Sequence, residues 1–118
     1  MKIAIGGMKK EEMKEAIERA DSSIEVVISS DMQAIPLLKN GDVDYYFGAC
    51  ESGGGAAISI LIGAIGYSQC STVCRNGETP TEEKIAQVVN SGKKVFGMAH
   101  DKIDVTVPIL VKLLQQKK

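Results

Sequence analysis

Cys50-Glu51-Ser52 sets a thiol, a carboxylate and a hydroxyl directly before three successive glycines, Gly53-Gly54-Gly55. An aromatic run, Tyr45-Tyr46-Phe47, precedes them, and about a dozen almost wholly apolar residues, Ala56 to Tyr67, follow. Glycines lack a Cβ, so the chain can take positive φ there and approach a ligand closely. A helix starting after them offers unpaired N–H groups and the positive end of its dipole. Ser52, Gly53, Gly54, Gly55, Ala56 and Ala57 together read as an anion site for a phosphate, a carboxylate or an enediolate oxygen. The plainer reading is a tight turn that permits close helix–sheet packing. A thiol near a helix start tends toward the thiolate, a base or nucleophile, which makes Cys50 the sharpest catalytic candidate. Glu51 opposes that tendency, and a small apolar residue at a strand end is the bland alternative.

Other candidates lie further along the chain. His100, the single histidine, suits a proton shuttle, as imidazole in general does; a solvated loop histidine is the plainer alternative. Arg75 suits a bidentate grip on an anion, although a surface ion pair is its default role. Cys70 and Cys74 read as core residues. Known nucleotide motifs fit poorly. Gly48 to Gly53 has P-loop spacing, but Gly54-Gly55 stands where Lys-Ser/Thr would hold phosphate and magnesium. Gly53-x-Gly55 starts a dinucleotide fingerprint without completing it, and it follows the third strand rather than the first. No cofactor is expected. With one histidine and no close cysteine pair, neither is a metal site.

The elements that must position these residues alternate regularly. Strands are expected at 2–5, 24–29, 43–49, 70–74 and 94–98. The first helix carries Met13, Ala16, Ile17 and Ala20 on one face. Ser30 or Asp31 caps the second, over 32–39, where Pro36 predicts a late start or a kink. The third runs from about Gly55 to Gly66. In the fourth, Thr79 is the expected cap, Pro80 the first residue and Glu82 the capping-box partner. The fifth is expected to start at Asp104, with Pro108 still in its first turn. This is a single (βα)5 domain over 1–118, a three-layer α/β sandwich with a mainly parallel five-stranded sheet, Rossmann-like or flavodoxin-like. The alternative is an α+β domain with one strand reversed.

Ligands of such sheets bind beyond the carboxyl ends of the strands, where strand order reverses. That edge collects Gly6 and Gly7, then Ser29, Ser30 and Asp31, then the glycine turn, then Cys74 and Arg75, and finally His100 and Asp101.

Composition narrows the partners. The 118 residues carry 14 basic and 15 acidic side chains, with no basic block beyond Lys117-Lys118, which argues against nucleic acid. The longest apolar run, about 12 residues, falls short of the roughly 20 that cross a bilayer, and no secretory leader is evident. A cytoplasmic protein with three reduced cysteines is expected. Cys70 and Cys74, four apart on one strand, stand too far apart to pair. The run at 55–66 is apolar nearly all round, hence buried on every side, and a homodimer through this helix is the expected cover.

Two resemblances follow from these motifs. "DYYFGAC", "SGGGAAISI", "IGY", "FGMAH" and "VPIL" resemble the YhfU-like bacterial family of short, glycine-rich α/β proteins over nearly the whole chain. That family has no established activity. Its company of membrane transport proteins and metabolic enzymes implies a role with small molecules, as a regulatory or transporter-associated subunit that binds an anionic metabolite. Locally, "CESGGGAAIS" resembles the turn of type-B ribose-5-phosphate isomerases. That likeness implies Cys50 as the base, Ser52 in place of their threonine, Gly53 and Gly55 as oxyanion-holding glycines, and His100 in ring opening. Gly6-Gly7 stands where those enzymes have Asp-His, and Glu51 replaces a glycine. A third possibility, a phosphocysteine carrier resembling phosphotransferase IIB proteins, would transfer phosphate onto Cys50, although those carriers place the cysteine after the first strand.

Overall fold

The apolar runs form five strands: β1 (Lys2–Gly7), β2 (Glu25–Ile28), β3 (Tyr45–Cys50), β4 (Cys70–Cys74) and β5 (Val95–Ala99). The computed structural model describes residues 1–53 and 55–117, of Ala57 the backbone only. All four strand pairs are parallel and the order is β2-β1-β3-β5-β4. β3 and β5 lie inside the sheet and are buried along almost their whole length, which is why their sequences are apolar without alternation. β2, at one edge, keeps its two end residues exposed.

Five helices cover the sheet: α1 (Lys10–Ala20), α2 (Asp31–Lys39), α3 (Ser59–Ile65), α4 (Glu82–Asn90) and α5 (Ile103–Lys117). Met13 and Ile17 of α1, Ile85 and Val89 of α4, and Val107 and Leu110 of α5 pack with Ile3, Ile5, Phe47 and Phe96 on one face. On the other face, Ala34 and Leu38 of α2 and Leu61 of α3 meet Ala4, Tyr46 and Val95. Steps from β1 to β2 and from β4 to β5 run one way across the sheet and carry helices on the first face. Steps from β2 to β3 and from β3 to β4 run the other way and carry theirs on the second. A single crossover hand requires that division.

Three local expectations change. Thr81, not Thr79, caps α4: its backbone is extended (φ −126°, ψ 151°) and its hydroxyl accepts from Lys84 N at 3.3 Å. Pro80 therefore precedes the helix. The later cap puts Glu82 and Glu83 in the first turn, where the dipole favours carboxylates. Pro108 lies inside α5 rather than in its first turn, because a 3₁₀ turn at His100–Lys102 leads straight into a helix from Ile103. The run at 55–66 divides into a 3₁₀ turn, Ala56–Ile58, and the seven-residue α3. It is not buried all round within the chain: Ile58 and Leu61 are buried, whereas Ser59, Ile60 and Gly63 are exposed. Ser30 caps α2 through its Oγ, which accepts from Gln33 N at 3.1 Å, so Pro36 falls inside that helix.

Candidate functional site

β1 and β3 are neighbours, yet the chain leaves β1 toward β2 and leaves β3 toward the opposite edge. Their carboxyl ends therefore part and leave a crevice. A cleft of about 250 Å³ lies there, and Gly7, Met8, Ser30, Asp31, Cys50 and Ala56 help to line it. Gly7 (φ 82°) makes the wall possible: a Cβ on it would run into the Ala49 carbonyl. That carbonyl instead accepts from Met8 N at 2.8 Å.

Cys50 ends β3 with 9% of its surface exposed. Its sulfur accepts the Gly53 N–H at 3.1 Å. An N–H aimed at sulfur favours the anionic over the neutral thiol. Gly53 can make this bond because it is wedged among strand ends at φ 75°. A Cβ there would stand 2.6 Å from the Cys74 carbonyl oxygen and 2.7 Å from Ala99 N. Gly53 was expected to hold an anion, but its amide is turned to the thiol. Ile58 N is also engaged, by the Gly55 carbonyl at 3.1 Å. Gly55 (φ 109°) opens the 3₁₀ turn, and Ala56 reaches the cleft. Gly54 and the side chain of Ala57, both expected in the anion site, lie outside the described residues.

Neighbouring strand ends frame the thiol. Cys50 pairs in register with Ala99, so His100 follows directly beside the glycine turn. The Nδ1 of His100 is buried with no hydrogen-bond partner among the described residues. Ser52 is exposed, and its carbonyl accepts from Asn76 N at 3.0 Å. Asn76 Nδ2 donates in turn to Asp101 Oδ1 at 3.0 Å. Asn76 thereby ties together the loops after β3, β4 and β5. The sequence reading missed it, although Asn76-Gly77 is a turn dipeptide.

Ser30 and Asp31 face the thiol side of the cleft from the start of α2. Ser30 Oγ accepts from Gln33 N, which leaves its hydrogen available to donate. Asp31 Oδ1 accepts from Met32 N at 2.8 Å. Beneath them, Tyr46 is fully buried and its hydroxyl has no partner among the described residues. That hydroxyl fills the space a Cβ on Gly6 would need, so Gly6 serves the packing of Tyr46. Burial, and then the Asp31 carboxylate, push the Tyr46 phenol far above its ordinary range. A tyrosine within a strand reads as core, so nothing in the sequence marked this hydroxyl.

Arg75 stands apart from the cleft. It helps to line a second groove of about 230 Å³, on the other flank of the turn, together with Gly55, Thr72 and Lys93. All three cysteines are buried, and none forms a disulfide among the described residues. Burial raises the Cys70 thiol above its ordinary range, and nearby Lys93 opposes that shift. Among the described residues no group of three His, Cys, Asp or Glu side chains is placed to hold a metal ion.

Residues 1–114 match the model of a family described as "Protein of unknown function DUF2620". The "Uncharacterized protein YhfU" of Escherichia coli (strain K12) is 38% identical over 115 residues, 97% of this chain and 98% of that protein. The protein of the same name from Shigella flexneri matches to the same extent. Among solved structures, the type B ribose 5-phosphate isomerase of Trypanosoma brucei superposes with a TM-score of 0.73 at 16% identity, covering 97% of this chain and 85% of that one. Ribose-5-phosphate isomerase B of Giardia lamblia gives a TM-score of 0.70 at 14% identity, covering 98% and 94%. The parallel five-stranded architecture is thus shared along the whole chain.

Proposed function

The chain belongs to the DUF2620 family, and from that premise we propose that it is an isomerase-type enzyme acting on a small hydroxylated carbonyl metabolite of the sugar-phosphate class. Cys50 is the base. The observation that carries this reading is the Gly53 N–H donated to the Cys50 sulfur at the mouth of the switch-point cleft. In this reading the bond supports a thiolate beside space for a ligand.

In the proposed step the thiolate takes the proton from the carbon next to the substrate carbonyl. The C–H electron pair becomes the enediolate double bond, and the thiol returns the proton to the adjacent carbon. A second proton passes between the two oxygens, so no oxidant or reductant is needed. Ser30 donates its free hydrogen to the developing oxyanion. Asp31, an acceptor only, takes hydrogen bonds from substrate hydroxyls. His100 stands at the neighbouring strand end for ring opening. The whole-chain likeness to proteins named type B ribose 5-phosphate isomerases supports the reading.

The test is exchange of solvent deuterium into the carbon beside the carbonyl, followed by NMR across a panel of aldose and ketose phosphates. Exchange is expected with at least one of them, reduced about 100-fold or more in Cys50→Ala. Absence of exchange across the panel, with ligand-dependent thermal stabilisation that survives Cys50→Ala, would sink the enzyme reading in favour of a non-catalytic binding subunit.

A further inference from the structure

Among the described residues that line the Cys50 cleft, Asp31 is the one charged side chain, a carboxylate. No cationic side chain among the described lining residues neutralises a phosphoryl dianion there. Across the glycine turn the chemistry reverses. The groove of about 230 Å³ between α3 and the edge strand β4 is lined by Arg75 and Lys93, with the hydroxyl residues Ser71, Thr72 and Tyr67, and no carboxylate faces it among the described residues. Arg75 is exposed, and no acidic side chain among the described residues forms an ion pair with its guanidinium; its backbone is engaged, the N–H donating to Glu78 Oε1 at 2.6 Å and the carbonyl accepting from Glu78 N at 3.1 Å. Lys93 Nζ donates one hydrogen to the Ser68 carbonyl at 3.0 Å, which leaves two of its three donors. The strand itself is irregular at this point. Thr72 pairs with Gly97 and Cys74 with Met98, so one extra residue bulges between them, just before Arg75. Bulges re-aim side chains and recur beside working sites.

We propose that this groove is a phosphoryl site, holding the terminal group of a phosphate monoester. The Arg75 guanidinium grips two phosphoryl oxygens, Lys93 supplies a second positive charge, and the Thr72 hydroxyl donates a further hydrogen bond. Two cations and hydroxyl donors match a tetrahedral dianion better than a planar monoanion. Gly55 lines this groove and the next residue, Ala56, lines the Cys50 cleft. Adjacent Cα atoms are about 3.8 Å apart, so one ligand can lie across the turn. Its phosphate then sits toward β4 and its hydroxylated carbonyl end toward Cys50. That orientation rests on the isomerase reading; the phosphoryl site itself does not.

The experiment titrates ¹⁵N-labelled protein with inorganic phosphate, and in parallel with acetate, at low ionic strength. Saturable shifts are expected at the amides of Gly55, Thr72 and Arg75, with acetate binding at least tenfold more weakly. The Arg75→Ala/Lys93→Ala double variant, whose own spectrum reports its folding, is expected to weaken phosphate binding at least tenfold. Cys50→Ala is expected to leave it unchanged. The proposal is overturned if phosphate shifts Gly7, Ser30 and Cys50 instead, if the double variant binds equally well, or if acetate binds as tightly as phosphate. Phosphate bound in the groove without deuterium exchange on any sugar phosphate would remove the isomerase reading and leave this site standing.

Discussion

Two residues near the cleft have measurable consequences of their own. Tyr46 buries a hydroxyl without a partner among the described residues, and such a group costs about 1–3 kcal/mol of desolvation. Tyr46→Phe is therefore expected to raise stability by about 1 kcal/mol, read as a higher urea midpoint. The same residue sets an alkaline limit. Its phenol is held protonated in the folded chain, whereas the unfolded chain ionises near 10.0. The stability from this difference is full below about pH 10 and falls as pH rises toward the folded value, by up to about 1.4 kcal/mol per unit. Tyr46→Phe is expected to lose less stability than the parent between pH 9 and about 11; equal losses would assign the alkaline limit elsewhere. Gly53 is the second case. With φ 75° and backbone atoms within 3 Å of where a Cβ would lie, Gly53→Ala is expected to cost more than about 3 kcal/mol. Gly77 has nearly the same φ, 76°, but open space around it, so Gly77→Ala is expected to cost about 1–2 kcal/mol. Denaturant titration of both separates the clash from the backbone conformation.

At the scale of elements, α4 offers the cleanest comparison. Two threonines compete to cap it, and Thr81 holds the Lys84 amide. Thr81→Ala is expected to cost about 0.5–2 kcal/mol, while Thr79→Ala changes stability by less than about 0.5 kcal/mol. The reverse order would return the start of the helix to Thr79. The segment after the glycine turn shows a different conflict. Its apolar residues outnumber the core positions that a 3₁₀ turn and a seven-residue helix provide. The surplus stays on the surface, with Ile60 43% and Tyr67 77% exposed.

For the molecule as a whole, that surplus bears on the homodimer expected through helix 55–66. Ile60→Lys is expected to halve the particle mass measured by sedimentation equilibrium and to leave the folded spectrum of the chain intact. A parent that already sediments as a single chain would end the dimer proposal. Among the described residues no helix is long and apolar enough to cross a membrane.

Much of this architecture was legible in the residues because its signals are local. Strand spans, alternation with helices, the buried stripes of α1 and α5, and the glycine turn after β3 follow from apolar periodicity and from where glycine and proline interrupt it. Strand order does not follow from such signals, and it decides the site. The order β2-β1-β3-β5-β4 opens the crevice beside Cys50 and sets Ala99 opposite it. Only the folded chain turns the Gly53 amide to the sulfur, lodges the Tyr46 hydroxyl against Gly6 and moves Arg75 into a groove of its own. The Gly53–Cys50 bond spans only three residues, but Gly53 is held in place by the ends of β4 and β5; the other two arrangements join residues from different strands and loops, so how the layers pack decides all three.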